Sequence, residues 1–146
     1  MGMKQRAALL GALTLVAIGL MVWMARYAGV PVGLGIYANS SFTSRLFDLA
    51  LAVLLAVVLL IGIARVAGRR SAGPSPMLNQ LSWVAPMLGL IAGGREGSIV
   101  WFTMQMQHVT QFRIVAPTIA EALVMPALGL AAGAVAAAFA SRSAKA

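Results

Sequence analysis

The chain has 146 residues, 61% of them apolar and only 10% charged, with 11 Lys and Arg against 3 Asp and Glu. An ordinary soluble domain is about 45–50% apolar and about 25% charged, and three acids cannot clothe the solvated faces of several amphipathic helices. The soluble globular, disordered and nucleic-acid-binding classes fall on that count, because the bases behind the net charge of +8 are scattered between long neutral runs and form no basic patch. With no cysteine there is no disulfide, thiolate metal site or cysteine nucleophile. His108 alone makes no zinc site. Asp48, Glu96 and Glu121 stand far apart in sequence and give no paired-carboxylate motif, so neither an enzyme nor a metal or other cofactor is expected.

What remains is an all-α integral membrane protein, a single membrane domain surrounded by lipid. A helix needs about 20 mostly apolar residues to cross about 30 Å of hydrocarbon. Four transmembrane helices are predicted, at approximately 7–27, 48–68, 79–103 and 115–140, with no soluble domain. The first follows Lys4 and Arg6, as a signal peptide would. Its uncharged run AALLGALTLVAIGLMVWMA is longer than a typical signal h-region, however, and Trp23, Arg26 and Tyr27 close it as interface anchors, so a retained helix is expected. A Gly/Ser/Asn-rich loop is expected over 30–44, before the intensely apolar LALAVLLAVVLLIGIA of the second span. The segment RRSAGPSP, with two prolines, is expected to turn tightly into the third. That third span contains LSWVAPMLGLIAGG, and Gly93-Gly94-Arg95-Glu96-Gly97 either ends it or is a polar break in a longer helix running on through SIVWFTMQM. Periodicity does not choose between the two.

Orientation follows the bias of Lys and Arg in short loops. Lys4, Arg6, Arg65, Arg69, Arg70, Arg142 and Lys145 all fall on one side of a four-span topology, which should be the cytoplasm. Arg26, Arg45, Arg95 and Arg113 fall on the other, so both termini are expected inside.

Glu121 is the foremost candidate for chemistry. It lies within the fourth span between Ile119-Ala120 and Ala122-Leu123, where a charge costs about 2.5–3.5 kcal/mol on insertion scales and should face a bundle interior or a wet path. It reads either as a proton or substrate site or as a structural carboxylate paired with an Arg or a neighbouring helix. Arg95 and Glu96 read as a solvated loop or, if the third span continues, as a membrane ion pair with Arg95 within reach of Glu121. Asp48 opens the second span, where an anion suits a helix N-terminus, and His108 reads as a surface residue in a polar stretch. Gly129 and Gly133 form a G-x-x-x-G pattern whose small face suits close helix packing, within one chain or between chains. Methionines suit lipid-facing or gap-filling positions.

The segment from Ala85 to Leu130 resembles the ExbB/TolQ/MotA proton-channel subunits, most closely the ExbB and TolQ type. Their A-P-x-x-G-L motif reads here Ala85-Pro86-Met87-Leu88-Gly89-Leu90. Their A-P-G-I-A-E-A-L-x-x-T-A-x-G-L motif reads Ala116-Pro117-Thr118-Ile119-Ala120-Glu121-Ala122-Leu123-Val124-Met125-Pro126-Ala127-Leu128-Gly129-Leu130. The resemblance implies a homo-oligomeric bundle in the bacterial inner membrane, a pentamer around a pair of helices from a single-span ExbD/TolR-like subunit, with proton flow driving work on the envelope. Glu121 matches the family's pore-facing glutamate, and Pro86, Pro117 and Gly129 its helix-shaping positions. The chain departs from the pattern at two pore threonines, replaced by Gly93 and Pro126. It also lacks the large cytoplasmic helical region and carries an extra first helix.

Two competing readings stand beside the proton-path subunit. One is a non-conducting structural subunit of a larger membrane complex, as would follow if Arg95 neutralises Glu121. The other is a small proton-coupled transporter, for which neither an internal repeat nor an aromatic substrate box is evident. The charge bias makes the first prediction. A reporter that fluoresces only in the cytoplasm should light up when fused to either terminus, and a dark fusion at either end would overturn the four-span topology.

Overall fold

The computed structural model describes residues 2–29, 41–68, 75–108 and 111–143, and among them only helices occur. They are α1 (Met3–Ala28), α2 (Phe42–Ala67), α3 (Pro76–Gln107), α4 (Phe112–Ala122) and α5 (Val124–Ser143). The expected loops at 30–44 and 69–76 lie mostly outside the described residues, as do Arg69, Arg70 and Lys145. What is described of the first shows that it ends sooner than expected, since Ser41 already caps α2 and Phe42–Ser44 are helical. Local sequence sets these ends. The Ser41 and Ser75 hydroxyls accept from the backbone N–H groups of Ser44 and Leu78, Pro76 opens α3 where no N–H partner is needed, and Gly29 closes α1 in the left-handed conformation at φ 72°.

The open question at the end of the third span is answered by a continuous helix. α3 runs unbroken through Gly93-Gly94-Arg95-Glu96-Gly97 to Gln107, and His108 ends it with φ 50°. The opposite happens in the fourth span. Pro126 has no N–H for the Ala122 carbonyl, so the rod breaks at Leu123 into α4 and α5, directly after Glu121.

Three of the resulting rods, α1, α2 and Phe112–Ser141, are long and apolar enough to cross a membrane. They are not equivalent, for half of the last rod's apolar window is buried, against 11% for α1 and 22% for α2. α5 is therefore the axis around which α1, α2 and α3 stand. Ala127 and Leu130 meet Ala17 of α1, Met125 meets Leu51 of α2 and Ala92 of α3, and Ala136 and Ala140 meet Val58 and Leu78. The outward faces carry large exposed apolar side chains such as Leu15, Leu60, Ile91 and Trp101, the surface of a membrane protein.

The tightest contact is between α3 and α5, and it reveals an internal repeat that the sequence reading missed. Pro86-Met-Leu-Gly-Leu-Ile-Ala-Gly93 and Pro126-Ala-Leu-Gly-Leu-Ala-Ala-Gly133 are identical at six of eight positions. The two segments lie antiparallel and match each other about a local two-fold axis. A Cβ on Gly89 would come within 2.7 Å of the Met125 carbonyl oxygen, and one on Gly129 within 2.6 Å of that of Ala85. The ring of Pro86 covers Gly133, and the ring of Pro126 covers Gly93. The carbonyls freed by each proline, Ser82 and Ala122, face the same two glycines. The G-x-x-x-G face is thus spent inside the chain. Gly93 and Pro126 are in contact, and the proline ring fills the space a side chain at 93 would need.

This geometry predicts opposite effects for one substitution. Gly129→Ala and Gly89→Ala should each cost about 1–3 kcal/mol by forcing backbones apart. Gly19→Ala, with nothing within 4 Å, should stabilise by about 0.5–1 kcal/mol through helix propensity. Thermal unfolding in detergent checks both signs.

Candidate functional site

α2 begins deep. Its first turn meets Glu121 at the end of α4, while α3 continues from Glu96 to Gln107, about 16 Å further at 1.5 Å per residue. The space left above the start of α2 is a cleft of about 530 Å³ between the far half of α3, α4 and the α2 N-terminus. It lies at the end where α1 finishes, the outer end in the expected topology. Ser41, Thr43, Ser44, Thr103 and Thr118 supply hydroxyls to it, Ile99, Val100, Ile114 and Val115 supply apolar wall, and Glu121 lies at its foot.

Glu121 is 9% exposed and held at the N-terminus of α2, accepting from the Ser44 hydroxyl and from the Ser41 backbone N–H. That seat is favourable for an anion, because free N–H groups and the helix dipole both point at it. The Ser41 and Ser44 hydroxyls are 2.7 Å apart, and Ser44 is fully buried. These serines were not singled out in the sequence. Their signal, a Ser three residues before another at the mouth of an apolar run, is that of a helix cap, and it does not say what else the cap binds.

Arg95 and Glu96 do not extend to Glu121 as an ion pair. The Arg95 guanidinium lies 2.6 Å from the Glu96 carboxylate beside it, with the two side chains 49% and 13% exposed. The charges that act on Glu121 include those of Glu96, Arg45 and Asp48. Asp48 is not a helix cap either. It sits nearly two turns into α2, no acid occupies that helix's first turn, and the residue is 6% exposed. Its charge interacts with those of Glu121 and Glu96, so the three acids of the chain, distant in sequence, share one end of the bundle. Among the described residues no group of three His, Asp or Glu is placed to hold a metal ion. Pro86, Gly89, Gly93, Pro126, Gly129 and Gly133 belong to the α3–α5 seam, and Pro117 lies one turn before Glu121 inside α4.

A second polar knot closes the other end. Arg6 of α1 donates to the Asn79 side-chain oxygen at 3.1 Å and to the Ser82 hydroxyl at 3.0 Å, and lies 4.1 Å over the Trp83 ring. An anion at one end of the α3–α5 seam is therefore matched by a cation at the other. Comparison with family models, with curated proteins and with solved structures gives no match for this chain.

The two polar contacts should differ in weight. Ser44→Ala leaves a buried carboxylate short of a donor and should cost about 1–3 kcal/mol. Arg95→Ala breaks a half-exposed pair and should cost less than about 1 kcal/mol. Unfolding of the two variants in detergent, compared side by side, tests the assignment of Glu121's partners.

Proposed function

We propose that this chain is an ExbB/TolQ-like subunit of the bacterial inner membrane that passes protons through Glu121 to drive an envelope complex. α3 serves as a span beside the other three rods, both termini lie in the cytoplasm, and several copies assemble, five if family-like, around a single-span ExbD/TolR-like partner. The observation that carries this reading is a buried glutamate in a membrane-crossing helix at the foot of a hydroxyl-lined cleft. A carboxyl so placed can take a proton from water on the outer side. The hydroxyls that the missing threonines would have supplied are offered instead by Ser41, Ser44 and Thr118, on α2 and one turn before Glu121. Below Glu121 the seam is shut by Pro126 on Gly93, so a proton leaving along it meets packed backbone. One chain is thus half of a path, and a neighbouring subunit or partner helix supplies the rest.

The hydrogen bonds from Ser41 and Ser44 favour a second reading, in which Glu121 only fastens α4 to α2 in a structural subunit. Proton flux into liposomes loaded with a pH dye separates the two. If Glu121 carries protons, Glu121→Gln lowers flux by about 100-fold or more, the scale of losing a positioned proton-transfer group, while the assembly keeps its size on gel filtration. Equal flux in wild type, Glu121→Gln and Glu121→Ala would sink the proton path and leave the structural role.

A further inference from the structure

With the α3–α5 seam closed below Glu121, the polar groups that continue inward stand on α2. Ser44 is fully buried and bonded to Glu121. Asp48 follows it by four residues, one turn along the same face of the helix. Asp48 is 94% buried by its 6% exposure, and its Oδ1 is shut from solvent with no hydrogen-bond partner. A buried acceptor left without a donor is costly and points to a group it is built to receive. Here the atom lies one turn beyond a hydroxyl that holds the proton-binding glutamate.

We propose that Asp48 is the second proton-carrying carboxyl of this chain, taking the proton from Glu121 across Ser44. This rests on the reading of Glu121 as a proton site and names the group that comes next. In the transfer, the O–H bond at the Glu121 carboxylic acid breaks as the Ser44 oxygen gains a proton. The Asp48 side chain, whose Oδ1 touches no donor in the structure, first turns to the Ser44 hydroxyl, which then gives up its own proton to form the O–H bond at Oδ1. Charge moves one helical turn inward, with a carboxylate left at Glu121 and nothing oxidised or reduced. The charged groups facing this pair are Glu96 and Arg95 from α3 and Arg45 from α2 itself, whereas α5 presents only Ala, Gly, Leu, Met and Pro near it. The proton is thereby diverted from the route the two departed threonine positions would have given.

The test uses the full chain in liposomes, with infrared difference spectra recorded across a pH step and proton flux followed in parallel. Wild type should show two exchanging protonated-carboxyl bands. Asp48→Asn should remove one and shift the other, and Glu121→Gln should remove the other. Flux in Asp48→Asn should fall about tenfold or more, and Asp48→Glu should restore the band, displaced, and most of the flux. An Asp48→Asn spectrum identical to wild type, alongside a Glu121→Gln spectrum that has lost a band, would overturn the Asp48 assignment and leave Glu121 standing. A Glu121→Gln spectrum that matches wild type would instead overturn the reading on which it rests. Should Asp48→Asn fail to elute as a folded protein, Asp48→Glu decides alone, because an exchanging Asp48 must move its band when lengthened by a methylene, and an unmoved band contradicts the proposal.

Discussion

Between Pro86 and Gly133 the backbones of α3 and α5 approach so closely that no Cβ fits at Gly89 or Gly129 without moving a carbonyl, and the rest of the bundle follows from that approach. Lipid offers no hydrophobic drive for helices to associate, so van der Waals contact between small residues must supply much of it. The repeat makes the contact self-complementary, since each proline ring fills the hollow above the other helix's second glycine. A rod rich in Gly and Ala is then free to act as an axis, with α1 and α2 packed on its remaining faces.

The same prolines set the site. Pro126 serves the seam by covering Gly93 and also leaves the Ala122 carbonyl without its helical donor just after Glu121, where the end of α4 meets the first turn of α2. The carboxylate finds its donors there, at a helix N-terminus that would otherwise lie open at the foot of the cleft. Packing and chemistry are consequently coupled.

Much of this was legible in the residues. The apolar runs and the isolation of Glu121 among apolar neighbours are local signals, and they place the helices and the central candidate, whereas the caps at Ser41 and Ser75 fell in segments expected to be loops. Three features were not. The continuity of α3 through Gly93–Gly97 is not read from period, because three glycines and two charges mimic a loop. The role of Asp48 was misread because a carboxyl at a span edge and a carboxyl buried between helices look alike until the start of the helix is known. The repeat was visible in the letters, yet its meaning lies in an antiparallel contact across 40 residues, which no window along the chain reports. The pairing of Gly93 with Pro126 shows the gain from seeing both, since two residues 33 positions apart become one contact of a ring on a glycine.

The central claim is that water reaches Glu121 from the outer end and stops there. The chain has no cysteine, so single substitutions give a clean reading of access. With the protein in oriented membranes, a membrane-impermeant maleimide added outside should label Thr103→Cys and Thr118→Cys in the cleft. The same reagent should leave Ala132→Cys, fully buried on α5, unlabelled from either face. Protection of Thr118→Cys from the outer reagent, or its labelling from the cytoplasmic side instead, would contradict the account.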